Sequence, residues 1–140
     1  MLEKATIIPV EIGLLDYYWP HVVSYIQDAL EHTDQEISLE SILSDIANQT
    51  RQLWIIKHGN EYLAGIITEI EEYDTGLKVG QVTFAGGRDH DLWDHFTDLV
   101  GEWFKEQGCQ KIEIIGRLGW KRLYEKRGFK PKYLIMRKDL

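Results

Sequence analysis

The stretch that most constrains the fold is residues 108–129, in which glycines separate a strand, a turn and a helix. An apolar strand at residues 112–115 follows Gly108, and a turn at residues 116–119 leads to a helix that ends at Gly128. Glycine suits the position after a helix because the backbone there often has positive φ, where a Cβ is penalised. We therefore predict positive φ at Gly128 and a strand followed by a helix near the end of the chain.

Hydrophobic periodicity predicts the remaining elements. Further strands are predicted at residues 5–12, 52–57, 62–73, 79–85 and 133–136, and helices run from Asp16 towards His32, from Ser38 through Ile46, and from Asp89 or Asp91 through Phe104. This order indicates a single domain over residues 1–140. It is of the α/β class and α+β type, with a mixed, mostly antiparallel sheet of about six strands flanked by about four helices. The predicted core contains Trp54, Phe84, Leu99, Trp103, Ile112, Ile114 and Phe129.

The charge and cysteine content narrow the classes of partner. The formal net charge is −7, which disfavours the binding of duplex DNA by the chain as a whole. Cys109 is the only cysteine, so no disulfide can form within the chain. No apolar run is long enough to predict a membrane span or a secretion signal, so we expect a cytoplasmic protein.

Two motifs within residues 108–129 resemble those of a known family. Residues 123–129, Leu-Tyr-Glu-Lys-Arg-Gly-Phe, resemble the Leu-Tyr-x-x-x-Gly-Phe signature that closes the cofactor domain of GNAT acyltransferases. More narrowly, residues 108–120 read Gly-Cys-x-x-Ile-x-Ile-x-Gly-Arg-x-Gly-Trp, which resembles small GNAT-like proteins of tailed phages and prophages. The resemblance implies the GNAT fold, acetyl-CoA as cofactor, and a location in the host cytoplasm or the virion interior.

The resemblance also implies a place for the coenzyme pyrophosphate, which GNAT enzymes hold with backbone amides between the fourth strand and the next helix. The family pattern is Arg/Gln-x-x-Gly-x-Gly/Ala; Arg88 fits its first position, but Asp91 and Trp93 replace its small residues. A shifted register would use Gly86 and Gly87, which follow Phe84 on the strand.

Three carboxylates lie in this segment, at Asp89, Asp91 and Asp94. They occupy the positive end of the predicted helix dipole and would repel a pyrophosphate. We therefore expect acetyl-CoA to bind weakly or not at all.

The resemblance assigns Tyr124 to the position of a general acid that protonates the leaving thiolate. The alternative is a tyrosine packed at the edge of the sheet. Arg117 stands where the family usually has an asparagine that contacts the cofactor. No general base stands out; Glu69, Glu71 and Glu72 lie on a suitable strand, but they also fit a solvated strand face.

The histidines and aspartates of residues 89–95 suggest a metal site. His90 and Asp94, and likewise Asp91 and His95, are four residues apart, as two ligands on one helix would be. No His-Glu-x-x-His pattern and no third pair accompanies them. We expect capping and solvation of the helix start instead, and no bound metal.

Positive charge is concentrated between Arg117 and Lys132, on the last helix and its flanks. The basic residues are Arg117, Lys121, Arg122, Lys126, Arg127, Lys130 and Lys132. They suit a coenzyme phosphate, a nucleic acid or an acidic protein surface, or simply an exposed helix that balances an acidic body. We expect a phage or host protein as partner and no nucleic acid, and a homodimer is also compatible with the sequence.

Two functions follow from these observations. The first is a GNAT-fold accessory or virion-associated protein of a phage or prophage, with a degenerate acetyl-CoA site and little transferase activity. The second is an active acetyl-CoA-dependent N-acetyltransferase with Tyr124 as general acid. The sequence does not name the acyl acceptor, and fold alone does not decide between the two functions.

Overall fold

A computed structural model describes residues 3–140. Its elements in chain order are β1 (Thr6–Pro9), α1 (Leu15–Leu30), α2 (Leu39–Ala47), β2 (Gln52–His58), β3 (Glu61–Glu72), β4 (Lys78–Gly87), α3 (Phe96–Glu106), β5 (Lys111–Ile114) and α4 (Gly119–Glu125). Single 3₁₀ turns at Ile12–Leu14 and His90–Leu92 precede α1 and α3. Within residues 3–140, each helix is too short or too polar to cross a bilayer.

The strands form one sheet in the order β1-β2-β3-β4-β5. The pairs from β1 to β4 are antiparallel, and β4 pairs with β5 in parallel. A parallel pair needs a long crossover connection, which α3 supplies. The predicted fold class, a mixed and mostly antiparallel sheet flanked by four helices, is confirmed.

The predicted sixth strand at residues 133–136 is wrong. In the described part of the chain these residues pair with no strand, and their side chains are 77–86% exposed. β-Propensity reflects packing on a half-buried, paired surface, so Tyr133, Leu134 and Ile135 do not form a strand without a neighbour. The sheet therefore ends at β5.

Alternation along the strands divides the core between the two faces of the sheet. Leu53 and Ile55 of β2 face α1 and α2, whereas Trp54 and Ile56 face α3 and α4. On the first face, Val22 of α1 is fully buried against the sheet. Side chains at successive strand positions point to opposite faces, which produces this division.

The predicted core is confirmed for Trp54, which is 2% exposed. Phe84, Trp103, Ile112, Ile114 and Phe129 are partly buried and pack against the two clusters. The prediction that Leu99 is buried is wrong, since its side chain is 45% exposed. The buried stripe of α3 consists of Phe96, Thr97, Val100 and Phe104, which leaves Leu99 on the outer side of the helix.

Gly128 has φ +91°, as predicted, and a Cβ there would meet no atom within 4 Å. We therefore expect Gly128→Ala to lower the free energy of unfolding by about 1 kcal/mol through backbone strain alone. Gly119→Ala is the matched control, because Gly119 also has open space around it but no positive φ. Chemical denaturation measures the free energy of unfolding of both variants. Equal effects of the two substitutions would contradict a helix end at Gly128 that requires positive φ.

Candidate functional site

The strands β4 and β5 separate at a bulge. Their pairing runs from Val79 to Val82 on β4, and the last bond joins Ile115 N–H to the Val82 carbonyl at 3.0 Å. At that level Ile67 of β3 pairs with Phe84 while Thr68 pairs with Val82, so Thr83 is an extra residue in β4. A bulge bends its strand and increases the local twist. An opening therefore forms at the carboxyl ends of two parallel strands, a place where α/β folds often bind ligands.

Tyr124 of α4 and His90 of the turn after β4 meet on the α3–α4 side of this opening. Tyr124 Oη lies 2.7 Å from His90 Nε2. Burial, assisted by Asp94, raises the pKa of Tyr124, which is only 2% exposed. Burial also lowers the pKa of His90, although Asp94 and Asp91 oppose that shift. At neutral pH the tyrosine is therefore protonated and the imidazole is neutral.

Aromatic rings fill the space around this pair. His90 lies edge-on to Trp93 at 4.5 Å and to Trp120 at 5.7 Å, and Trp120 stacks on Tyr124 at 5.3 Å. We call His90, Trp93, Trp120 and Tyr124 the aromatic cluster. Phe96 and Phe129 contact Tyr124 edge-on from the other sides, so the Tyr124 hydroxyl is enclosed. Sequence reasoning missed the role of His90, because no spacing rule relates it to a partner 34 residues away.

The helix predicted to begin near Asp91 begins instead at Phe96. Asp89 is in the left-handed region with φ 56°, and neither it nor Asp91 caps the turn with its side chain. Trp93 is 2% exposed, and its indole N–H donates to the Arg88 carbonyl at 2.8 Å. The segment turns inward at Trp93 because burial of the indole is worth more than one further helical turn.

Five backbone amides along residues 88–98 bond within the protein, whereas those of Asp89, His90, Asp91, Asp94 and His95 donate to no group within the described residues. Arg88 N–H donates to the Leu63 carbonyl at 2.8 Å, and the Trp93 N–H donates to the His90 carbonyl at 2.9 Å. The amides of Leu92, Phe96 and Asp98 also donate to nearby carbonyls. These groups already have acceptors and are not free donors for a ligand.

Gly86 and Gly87 allow close packing inside the fold. A Cβ on Gly86 would lie 2.1 Å from the Tyr25 carbonyl oxygen of α1. A Cβ on Gly87 would lie 2.3 Å from the Leu63 carbonyl oxygen of β3. The glycine pair is therefore explained by contacts of β4 with α1 and β3, without any ligand.

The predicted binding residues do not converge on Tyr124. Phe84 packs in the cluster on the α1–α2 face, under the Arg51 guanidinium at 5.8 Å. Arg88 is turned towards α1 and β3, where it pairs with Glu61 at 3.1 Å and donates to Tyr25 Oη at 3.3 Å. Arg117 lies 3.1 Å from His32, measured from Nη1 to Nε2.

Two of the three carboxylates expected to repel a phosphate are already paired with cations. Asp89 contacts Arg88 at 3.2 Å, and Asp94 contacts Arg127 at 3.3 Å and Lys4 at 3.5 Å. Burial would raise the pKa of Asp94, but Arg127 and Lys4 outweigh burial and hold that pKa below its ordinary value. Asp91 is exposed, and its carbonyl accepts from Lys4 Nζ at 2.8 Å. The electrostatic obstacle is therefore smaller than the count of aspartates implied.

The described residues do not form the helical ligand pairs considered for a metal, and one of the three glutamates considered as bases is partly buried. His90 bonds Tyr124 rather than facing Asp94 across a helical turn, and no three His, Cys, Asp or Glu groups within residues 3–140 converge as a metal site requires. Of the three glutamates considered as bases, Glu69 is half-buried 3.6 Å from Arg51, and burial raises its pKa. Glu71 and Glu72 are exposed.

No protein-family model matches the sequence, and the search of curated proteins finds no significant match. Solved structures do match over almost the whole chain. Glucosamine-6-phosphate N-acetyltransferase from Arabidopsis thaliana has TM-score 0.69 at 17% identity, covering 98% of this chain and 99% of that one.

Two further structures extend the match. Ribosomal-protein-alanine N-acetyltransferase from Brucella melitensis has TM-score 0.70 at 15% identity, covering 99% of this chain and 100% of that one. A predicted acetyltransferase from Clostridium acetobutylicum, solved with acetyl-CoA, has TM-score 0.68 at 16% identity, covering 97% of this chain and 96% of that one. The chain therefore has the fold of the GNAT acetyltransferases, as the Leu-Tyr-x-x-x-Gly-Phe motif implied.

His90 predicts a pH dependence of stability. Its pKa in the folded protein lies below its ordinary value, so the unfolded chain binds the proton more readily and protonation favours unfolding. The contribution of neutral His90 is complete above about pH 6.5 and is lost as the pH falls below that value. We expect the free energy of unfolding to fall less steeply between about pH 7.5 and 5.5 in His90→Gln than in the unmodified protein.

The control for this measurement is His58→Gln, at the end of β2 and outside the aromatic cluster. It should keep the slope of the unmodified protein. Despite burial, Asp94, a carboxylate near His90, has a pKa held below its ordinary value by Arg127 and Lys4, so it stays charged through this window. A slope unchanged by His90→Gln would refute the enclosed, neutral imidazole.

Proposed function

We propose that this chain is a GNAT-fold accessory protein of phage or prophage type, in which the coenzyme site is degenerate and transferase activity is slight or absent. The observation that carries the proposal is the aromatic cluster, in which Tyr124 is buried and its hydroxyl is bonded to His90. A general acid must reach the group that it protonates. At 2% exposure Tyr124 cannot do so unless its neighbours move.

Acetyl-CoA would supply an activated acetyl group, but the residues present do not fit its pyrophosphate. The buried Trp93 indole stands where such a site needs a small residue, and the amides of Leu92 and Trp93 are already bonded. The pair Gly86 and Gly87 approaches α1 and β3 instead. Arg88, the leading residue of the expected motif, is engaged by Glu61 and Asp89.

The energetic cost of opening this site is set by Trp93. Exposing a buried tryptophan uncovers about 150–250 Å², which at about 25 cal/mol per Å² costs about 4–6 kcal/mol. Any ligand that needs this ring to leave loses that amount from its binding free energy. A micromolar dissociation constant would become millimolar or weaker, since each 1.4 kcal/mol is about a factor of ten.

Surface charge supports an accessory role through contacts with another molecule. Residues 117–140 contain nine Lys or Arg and two Asp or Glu, a net charge of +7. Residues 1–116 contain the other seven basic and twenty-one acidic residues, a net charge of −14. Lys121 and Arg122 on α4 and Lys126 just after it are exposed, so the basic segment between Arg117 and Lys132 suits an acidic surface of a phage or host protein.

The alternative function is an active N-acetyltransferase, and one contact favours it. Tyr124 lies in the Leu-Tyr-x-x-x-Gly-Phe motif with His90 at hydrogen-bond distance, so a proton lost from the phenol could return through the imidazole. This function requires that the turn at His90–Leu92 swing out when a ligand enters.

Calorimetric titration with acetyl-CoA tests the proposal. We expect a dissociation constant on the order of 0.1 mM or weaker, because opening the site costs the burial of Trp93. In a thermal unfolding assay, ligand at a concentration equal to its dissociation constant adds only about 0.4 kcal/mol of stability. A low-micromolar dissociation constant for the unmodified protein would overturn the degenerate site and favour the enzyme.

A variant at His90 tests whether the closed aromatic cluster is the obstacle to acetyl-CoA binding. His90→Ala removes the ring that covers the Tyr124 hydroxyl, and we expect it to bind acetyl-CoA more tightly than the unmodified protein does. His58→Ala, at the end of β2, is the matched control and should not change binding. Equal affinities in all three proteins would locate the obstacle elsewhere.

A further inference from the structure

Two residues just ahead of β1 contact the turn that carries His90. Lys4 Nζ donates to the Asp91 carbonyl at 2.8 Å, and Ala5 N–H donates to the Leu92 carbonyl at 2.9 Å. The turn begins beyond the end of β4, whereas β1 forms the edge of the sheet opposite to β5. The N-terminal segment therefore holds the turn from the far side of the sheet, at the two residues that follow His90.

One of these contacts is made by a residue that is fixed in the core. Ala5 is 6% exposed within the cluster on the α3–α4 face, and Thr6 beside it pairs with Lys57 of β2. The turn at His90–Leu92, by contrast, contains no fully buried residue. Segments with few buried contacts open at a lower cost than the core does. The start of β1 is thus a fixed support for a turn that can open locally.

Asp94 joins the N-terminal segment to the end of α4. Its carboxylate lies 3.5 Å from Lys4 Nζ and 3.3 Å from the Arg127 guanidinium. Arg127 follows α4, and its N–H donates to the Tyr124 carbonyl at 3.0 Å. The same carboxylate therefore fixes the segment that carries His90 against the helix that carries Tyr124.

We propose that Lys4 and Ala5 act as a latch, which keeps the turn at His90–Leu92 closed over Tyr124 and opens without unfolding of the sheet. When the latch is open, the turn moves away from α4 and the Tyr124 hydroxyl loses its bond to His90. Lys4 is a positioning residue in this device, because it acts through the turn. The latch goes beyond the proposed function, and it operates whether or not acetyl-CoA binds.

The strength of the latch suits a balance between closed and open turns. The ion pair of Lys4 with Asp94 is exposed, and such pairs contribute little to stability. Together with the charged hydrogen bond to the Asp91 carbonyl, it shifts the balance towards the closed turn by about five-fold to ten-fold. Burial of Trp93 supplies the larger part of the cost of opening. The latch therefore sets how often the turn opens, and its loss does not unfold the protein.

Hydrogen exchange of two indole N–H groups, followed by NMR, tests whether the turn opens locally. The Trp93 indole N–H is bonded to the Arg88 carbonyl at 2.8 Å, so it exchanges when the turn opens. The Trp54 indole N–H is bonded to Thr68 Oγ1 at 2.9 Å in the core, so it exchanges on wider unfolding. A local opening exposes little surface and responds weakly to denaturant. We expect low concentrations of urea to accelerate exchange at Trp54 and to leave exchange at Trp93 unchanged. An equal urea dependence of the two would contradict local opening.

Substitution of Lys4 tests the latch itself. In Lys4→Ala we expect the Trp93 indole N–H to exchange about five-fold faster, because two contacts of the closed turn are lost. Lys4→Arg keeps a cation within reach of the same acceptors and should retain the slow exchange. Lys105→Ala is the matched control, since it removes an exposed lysine that pairs with Glu102 on α3 at 3.4 Å, and it should leave exchange at Trp93 unchanged. Exchange at Trp93 that is as slow in Lys4→Ala as in the unmodified protein would overturn the latch.

Discussion

The burial of Trp93 is the contact on which the geometry of the candidate site depends. The indole is enclosed between the core and His90, and its N–H is bonded to the Arg88 carbonyl. Burial of this ring is worth about 4–6 kcal/mol, whereas each backbone bond of an earlier helix turn would contribute about 1 kcal/mol. The chain therefore turns inward after β4 and delays α3 until Phe96. That inward turn places His90 against Tyr124.

The bulge at Thr83 and the inward turn at Trp93 act in opposite directions on the same region. The bulge parts β4 from β5 beyond Val82 and so produces the opening between these two strands. The turn then fills the opening with aromatic side chains. Charge has a smaller part than the aspartates suggested, because Asp94 is neutralised by Arg127 and Lys4. The obstacle that we propose for a coenzyme is therefore steric, and it would be set by packing rather than by ionic strength.

Much of the fold could be predicted from periodicity and glycine placement. Periodicity located the strands β1 to β5 and the helices, and Gly128 ended α4 as expected. The site could not be predicted to the same degree. A helix was expected to begin at Asp89 or Asp91, because a local pattern cannot weigh capping by aspartates against burial of Trp93 in a distant cluster. The strand expected at residues 133–136 failed for a related reason, since its partner is not supplied by the described fold.

The most direct measurement of the central claim is a crystal structure from crystals soaked in millimolar acetyl-CoA. The account predicts His90 Nε2 at hydrogen-bond distance from Tyr124 Oη, the Trp93 indole bonded to the Arg88 carbonyl, and no coenzyme between β4 and β5. Electron density for the coenzyme in that opening, with the turn at His90–Leu92 displaced outwards, would contradict it.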